Sequence, residues 1–214
     1  VSIAHSETDV IIETARGRVR TGRVIVALPP NAAARIHFDP PLPMSRALLQ
    51  ERMPMGATTK VIAVYETPFW RDDGLSGEAI CGEGPISVCF DNTTSDGTAA
   101  LVAFVVGRPA RVWGQLDDET RQMGVLSQLA RWFGDKAMHP IAYEEKDWSK
   151  DPWTRGCPIG FAGPEVLSVH GPALREPVGR IHWAGTETAT EWTGFMEGAL
   201  QSGERAASEV LSTG

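Results

Sequence analysis

The feature that most constrains this chain lies near its C-terminus. Arg180–Ala184 is a short β-forming run, Gly185-Thr-Glu-Thr188 follows it, and the spacing predicts a helix over Thr193–Leu211. One stripe of that helix is small: Gly194, Gly198, Ser202 and Ala206 recur at steps of four, beside Ala199, Gly203 and Ala207. Each glycine costs a helix interior about 1 kcal/mol relative to alanine, so these are poor choices for stability alone. They let the helix lie close to a sheet or a ligand. Gly185, where the strand ends, lets another group approach the backbone. The first helical turn presents free N–H groups and the positive end of the dipole, which favours an anionic or electron-rich ligand. On these residues alone, a close-packed strand–helix unit without a ligand and a ligand site stand equally open.

Composition narrows the classes. The chain has 214 residues and a formal net charge of −7, with 42% hydrophobic and 22% charged residues. That is soluble globular composition, enough for one large domain or parts of two. No Lys/Arg cluster is present, which counts against nucleic acid as a partner. Cys81, Cys89 and Cys157 are an odd number, which argues against a disulfide framework and for a reducing compartment. The longest apolar runs, Val24–Leu28 and Ala99–Val106, are too short to cross a bilayer. No membrane association is expected, and the location expected is cytoplasmic. His5, His37, His139, His170 and His182 show no paired metal-ligand spacing, so no metal is expected.

The remaining pattern is strand-rich at first. Asp9–Glu13 and Arg18–Leu28 read as strands joined by a hairpin turn at Thr14–Gly17, and the unbroken apolar run Val24–Leu28 predicts a strand covered on both faces. Pro29-Pro30 ends it. A short helix is expected over Met44–Arg52, and a strand over Lys60–Tyr65. Ile86–Asp91 and Ala99–Val106 read as a meander about the polar turn Asn92–Gly97. Asp117 is placed to cap an amphipathic helix ending at Phe133 and Gly134, with Met123, Leu126, Ala130 and Phe133 as its apolar stripe. Ile141–Asp147 is a further strand. Trp153–Gly171 is rich in Gly and Pro and reads as an ordered loop without regular structure. Strand and helix patches that do not alternate strictly predict an α+β fold.

Several of these segments resemble one family in the right order. Ala184-Gly-Thr-Glu-Thr188, Trp192-Thr-Gly-Phe-Met-Glu-Gly-Ala199 and Gly203-Glu-Arg-Ala-Ala207 resemble the C-terminal flavin-binding motif of flavin-containing monoamine oxidases. Val24-Ile-Val-Ala-Leu-Pro-Pro30, Ile36-His-Phe-Asp-Pro-Pro-Leu-Pro43, Met55-Gly-Ala-Thr-Thr-Lys60, Pro68-Phe-Trp-Arg71 and Tyr143-Glu-Glu-Lys-Asp-Trp148 resemble other family blocks. The likeness covers the C-terminal half of a typical member.

The resemblance implies FAD as cofactor and an amine plus O2 as substrates, with hydrogen peroxide as product. It places Gly185, Thr186 and Glu187 near the flavin phosphate and ribityl region, and Met196 with its backbone N–H toward the pyrimidine edge. It matches Lys60 to the lysine that reaches flavin N5 through a water and supports reaction with oxygen. A lysine among Val61, Ile62 and Val64 would sit in a largely buried site, where its pKa would fall; taken alone, a strand lysine more often snorkels to solvent. Trp148 matches a flavin-side tryptophan. Cys157 matches the cysteine that monoamine oxidases join to the flavin 8α-carbon; taken alone it is a small loop thiol. The aromatic cage of that family departs here: its two tyrosine positions fall on Pro158 and Phe195. Substrate choice is therefore not carried over.

A Gly-x-Gly-x-x-Gly turn between strand and helix is absent. The family carries it upstream, so the chain is expected to be incomplete and to need an N-terminal half as partner. The absence of an initiator Met fits that expectation. The fold expected is α/β FAD-binding pieces plus a mixed-sheet substrate domain with helices: residues 1–49 and 156–214 in the first, 50–155 in the second. The competing readings are a non-catalytic remnant or interaction module of the same fold, and a polyamine or amino-acid oxidase of the same superfamily.

Overall fold

Two compact units divide the chain, and the structure, a computed structural model, describes residues 1–212 of it. Thr213 and Gly214 lie outside the described residues. One unit combines residues 1–55 with 158–214, and the other is the continuous stretch 56–157. The mixture of helices with largely antiparallel sheets is an α+β fold.

The first unit opens with β1 (Ser2–His5), β2 (Val10–Thr14), β3 (Gly17–Thr21), β4 (Val24–Val26), α1 (Pro30–Ala33), β5 (His37–Asp39) and α2 (Met44–Glu51). β1, β2 and β3 form an antiparallel meander, and β5 joins the other edge parallel to β1, giving the order β3-β2-β1-β5. The run Arg18–Leu28 is not one strand: it breaks at Gly22, whose carbonyl accepts a 3.0 Å hydrogen bond from Arg180 Nη1, and β4 pairs elsewhere. Ile3, Val10, Val26, Phe38 and, from the end of the chain, Ile181 and Trp183 close its main core. Contrary to the expectation of a strand covered on both faces, Ile25 is 39% and Leu28 42% exposed. β4 pairs only with β11 within the described residues, and its Ile25 side is the less covered one.

The second unit contains β6 (Thr58–Tyr65), α3 (Phe69–Asp72), β7 (Ala79–Ile80), β8 (Val88–Asp91), β9 (Ala99–Val106), α4 (Arg108–Trp113), α5 (Asp118–Phe133) and β10 (Ala142–Asp147). Its sheet has the order β10-β6-β9-β8-β7, antiparallel throughout. β6 alternates: Thr59, Val61, Ala63 and Tyr65 are buried on one face, while Lys60, Ile62 and Val64 lie half-buried on the other. Period-two geometry thus puts Lys60 off the core face, which corrects the expectation of a largely buried lysine.

Asp117 caps α5, accepting from the Thr120 amide at 2.8 Å and the Thr120 hydroxyl at 2.7 Å. The buried stripe of α5 is Val125, Leu126, Gln128, Leu129 and Phe133, with Met123 exposed, so the helix is rotated from the stripe read in the sequence. Gln128 lies on that buried face. Its Oε1 accepts from the Ile86 amide at 2.8 Å, and its Nε2 donates to the carbonyls of Glu83 and Ile86, each at 3.0 Å. A polar residue with every group satisfied costs little to bury, and periodicity counts it as surface.

The chain then returns to the first unit through α6 (Val166–His170), β11 (Ile181–Trp183) and α7 (Met196–Ser212). The Gly/Pro-rich stretch is ordered, but α6 and a 3-10 turn at Gly171–Leu174 give it regular pieces that its composition concealed. β11 lies parallel to β4.

Candidate functional site

The sequence-predicted site residues fall into two groups, one in each unit. In the first unit they converge on the junction between β11 and α7. The chain leaves β11 and turns at Gly185, whose φ of +118° is strained for any residue with a Cβ. A 3-10 turn follows over Thr186–Thr188. The Gly185 amide donates to Ser202 Oγ at 2.9 Å, so the small stripe of α7 reaches the turn directly. Gly198, Ser202 and Ala206 are the residues α7 buries.

Thr186 ties the two ends of the junction together. Its hydroxyl donates to the Phe195 carbonyl at 2.9 Å and accepts from the Gly194 amide at 2.7 Å. Glu187 is 7% exposed, and its Oε1 accepts from the Gly160 amide at 2.9 Å. That carboxylate therefore anchors the loop after Pro158. The helix begins at Met196 rather than near Thr193, because Trp192 and Gly194 have φ of +54° and +91° and leave the helical path. Trp192 and Phe195 meet edge to face at 5.9 Å, each 63% exposed, and Met196 is 91% exposed. Pro158 is also exposed. Apolar side chains this bare at the positive end of a 17-residue helix suit a flat ring system with an electronegative edge better than water. The positive-φ glycine turn and the small stripe behind it leave backbone rather than side chains at the surface of that turn. These residues fit a flavin.

In the second unit, Lys60 pairs in register with Lys146 on β10, and Trp148 opens the 3-10 turn directly after that strand. The Lys146 ammonium lies 5.4 Å from the Trp148 ring centre. Asp147 fixes the turn by accepting from the Ser149 amide at 2.9 Å and its hydroxyl at 2.6 Å. Cys157 is half-buried: its amide donates to the Gly56 carbonyl at 2.9 Å, and its own carbonyl accepts from Thr58 Oγ1 at 2.9 Å. Burial pushes the Cys157 thiol up, and the Lys60 charge pulls it the other way. Lys60, Trp148 and Cys157 are thus assembled from β6, the end of β10 and the crossing at 157. Cys89 is buried in β8 and Cys81 follows β7, both apart from this group.

Sequence reasoning missed two arginines that hold the first group, and read Ser202 only as a small residue. Arg205 Nη2 donates to the Trp183 carbonyl at 2.6 Å and to Thr188 Oγ1 at 3.1 Å. Arg175 donates to the carbonyls of Thr188 at 2.8 Å and Ala189 at 2.9 Å. Ser202 takes the Gly185 amide. Arg205 sits inside the Gly203–Ala207 motif, but nothing in one sequence shows which backbone atoms a guanidinium reaches.

The family model described as "Flavin containing amine oxidoreductase" matches residues 1–211. The chain belongs to that family. A probable flavin-containing monoamine oxidase A of Dictyostelium discoideum is 44% identical over 98% of this chain and 46% of its own length. An L-amino acid dehydrogenase of Synechocystis sp. is 40% identical over 99% of this chain and 45% of its own. Among solved structures, cyclohexylamine oxidase from Brevibacterium oxydans superposes with a TM-score of 0.96 at 36% identity, covering 99% of this chain and 47% of that one. The chain spans about half the length of these relatives. A flavin cofactor goes with the family. Among the described residues no helix is long and apolar enough to cross a membrane, and no cluster of His, Cys, Asp or Glu is arranged to hold a metal.

Proposed function

We propose that this chain builds one part of the FAD site of an enzyme that oxidises an amine at its C–N bond, and that the unit 1–55 with 158–214 belongs to the FAD domain while 56–157 belongs to the substrate domain. The observation that carries the reading is the junction at Gly185–Met196: a glycine turn, a small-residue helix behind it, and bare Trp192, Phe195 and Met196 around the helix start.

Gly185, Thr186 and the α7 amide at Met196 would hold the cofactor, with Glu187 fixing the loop that carries Pro158. Lys60, Trp148 and Cys157 would line the cofactor from the substrate domain. When bound, FAD would supply the two-electron acceptor, so that amine, O2 and water would give a carbonyl compound, the free amine or ammonia, and H2O2. The chain's own residues bind and orient: Phe195 and Pro158 bound the substrate pocket, and the Lys60 ammonium supplies a proton-bearing group where oxygen is reduced. Lacking one tyrosine wall and one hydroxyl of the monoamine oxidase cage, the pocket would select its amine differently. An N-terminal half would supply the dinucleotide turn and cover the partly exposed Ile25 of β4 and the nearby Leu28.

The test is spectroscopic. The purified protein, alone and with an N-terminal half, should show flavin bands and peroxide production with an amine panel once the partner is present. A preparation that gains neither would defeat the reading and favour a non-catalytic module. For Cys157, acid precipitation should leave flavin on the protein, and Cys157→Ala should release it; full release from the unaltered protein excludes the thioether. The likeness to an L-amino acid dehydrogenase supports a second reading, oxidation of an amino acid with an acceptor other than O2. Turnover of amino acids with an artificial acceptor, and without peroxide, would select it.

A further inference from the structure

We propose that Arg205, backed by Glu209 and His182, is a positioning residue that sets the shape of the Gly185–Thr188 turn for the cofactor. One nitrogen of its guanidinium, Nη2, bonds the Trp183 carbonyl before the turn and Thr188 Oγ1 after it, at 2.6 and 3.1 Å. Thr188 in turn closes the turn on itself: its hydroxyl and its amide both donate to the Gly185 carbonyl at 2.9 Å. The guanidinium therefore acts on Gly185 through Thr188. A hydrogen bond from a charged donor is about twice as strong as a neutral one, so this bracket is stiff.

Arg205 is itself held. Its Nη1 pairs with the Glu209 carboxylate one helical turn on, and Glu209 also accepts from Nδ1 of the buried His182 at 3.1 Å. His182 precedes Trp183 on β11, so α7 grips β11 at consecutive residues through one ion pair. The free-energy cost of aligning the turn is met before any ligand arrives, which raises affinity for what the turn binds. A bracket needed only for packing would have no reason to close on the loop at both of its ends.

The inference rests on reading Gly185–Thr188 as a cofactor turn. Its test uses the flavin-loaded protein, with flavin dissociation constant and flavin midpoint potential measured beside thermal stability. Arg205→Met and Thr188→Val are each expected to weaken flavin binding about tenfold and to shift the potential. The double variant should fall well short of the roughly hundredfold product, because both remove one chain of bonds. Arg205→Lys should restore part of the affinity. Val125→Ala, in the core of the other unit, should lower stability while leaving affinity and potential unchanged. Should Arg205→Met fail to fold, Thr188→Val alone decides. Variants that lose only stability, or a fully multiplicative double variant, overturn the inference while the cofactor reading stands. An unaltered protein that binds no flavin even with an N-terminal half present removes both.

Discussion

At Gly198 an added Cβ would collide with the Trp192 carbonyl oxygen, whereas at Gly203 it would meet nothing within 4 Å. Both glycines lie in α7. Gly203→Ala is expected to stabilise by about 0.5–1 kcal/mol, the helix-propensity gain. Gly198→Ala is expected to destabilise by about 2 kcal/mol, because backbone must move. Urea denaturation of the pair decides whether the small stripe is a packing requirement or tolerance. Asp91 makes a pH prediction. Burial raises its carboxyl, but bonds from Thr93, from Trp70 Nε1 at 2.9 Å and from Arg71 Nε at 2.8 Å outweigh it and pull it to about 2. A carboxyl lowered in the folded state stabilises above its unfolded pKa and loses that contribution as pH falls through the folded one. Asp91 should therefore contribute about 2 kcal/mol at neutral pH, lost between about pH 4 and pH 2. Asp91→Asn should remove that part of the acid dependence in denaturation curves measured across the window. Gly185, Thr186 and the stripe were legible as residues because each has a local reason, a turn or a helix spacing. Arg205 and Arg175 were not, because the oxygens by which they hold the turn lie on another segment of the chain.

Among the elements, local signals served best where both ends were marked. α5 starts on Asp117 and stops at Gly134, as its capping residues predict. Its rotation was not readable, since Gln128 looks like surface and is buried for the bonds it makes to the Ile86 segment. Gln128→Leu should cost about 2–3 kcal/mol in chemical denaturation despite being apolar and close in size, because it leaves the buried Ile86 amide and carbonyl without partners. A neutral result would mean that segment re-pairs with water. The start of α7 was read three residues early for a related reason. Thr193 is a good helix opener in isolation, but Thr186 captures the Gly194 amide and the Phe195 carbonyl and keeps that stretch out of the helix. The break in Arg18–Leu28 follows the same rule: the β-branched residues on either side of Gly22 say strand, while the sheet each half joins depends on pairing partners, which for β4 lie far along the chain.

For the molecule as a whole, the two units differ in continuity. Residues 56–157 form one uninterrupted stretch with its own core, from Val61 and Trp70 to Leu129 and Phe133, and its ends are tied by the bond from the Cys157 amide to the Gly56 carbonyl. That stretch expressed alone is expected to fold cooperatively, with a single urea transition and native-like circular dichroism; a broad, non-cooperative loss of signal would show that it borrows stability from the rest of the chain. The other unit is woven from the two ends of the chain and offers no such excision. Family and α+β class followed from the sequence itself, because the ordered motif blocks are local patterns that survive without a third dimension. Tertiary structure alone decided which face Lys60 takes, that Glu187 holds Gly160, and that Arg205 closes the turn at Gly185. Those outcomes depend on contacts between residues 17 or more positions apart, whose distances no spacing in one sequence encodes.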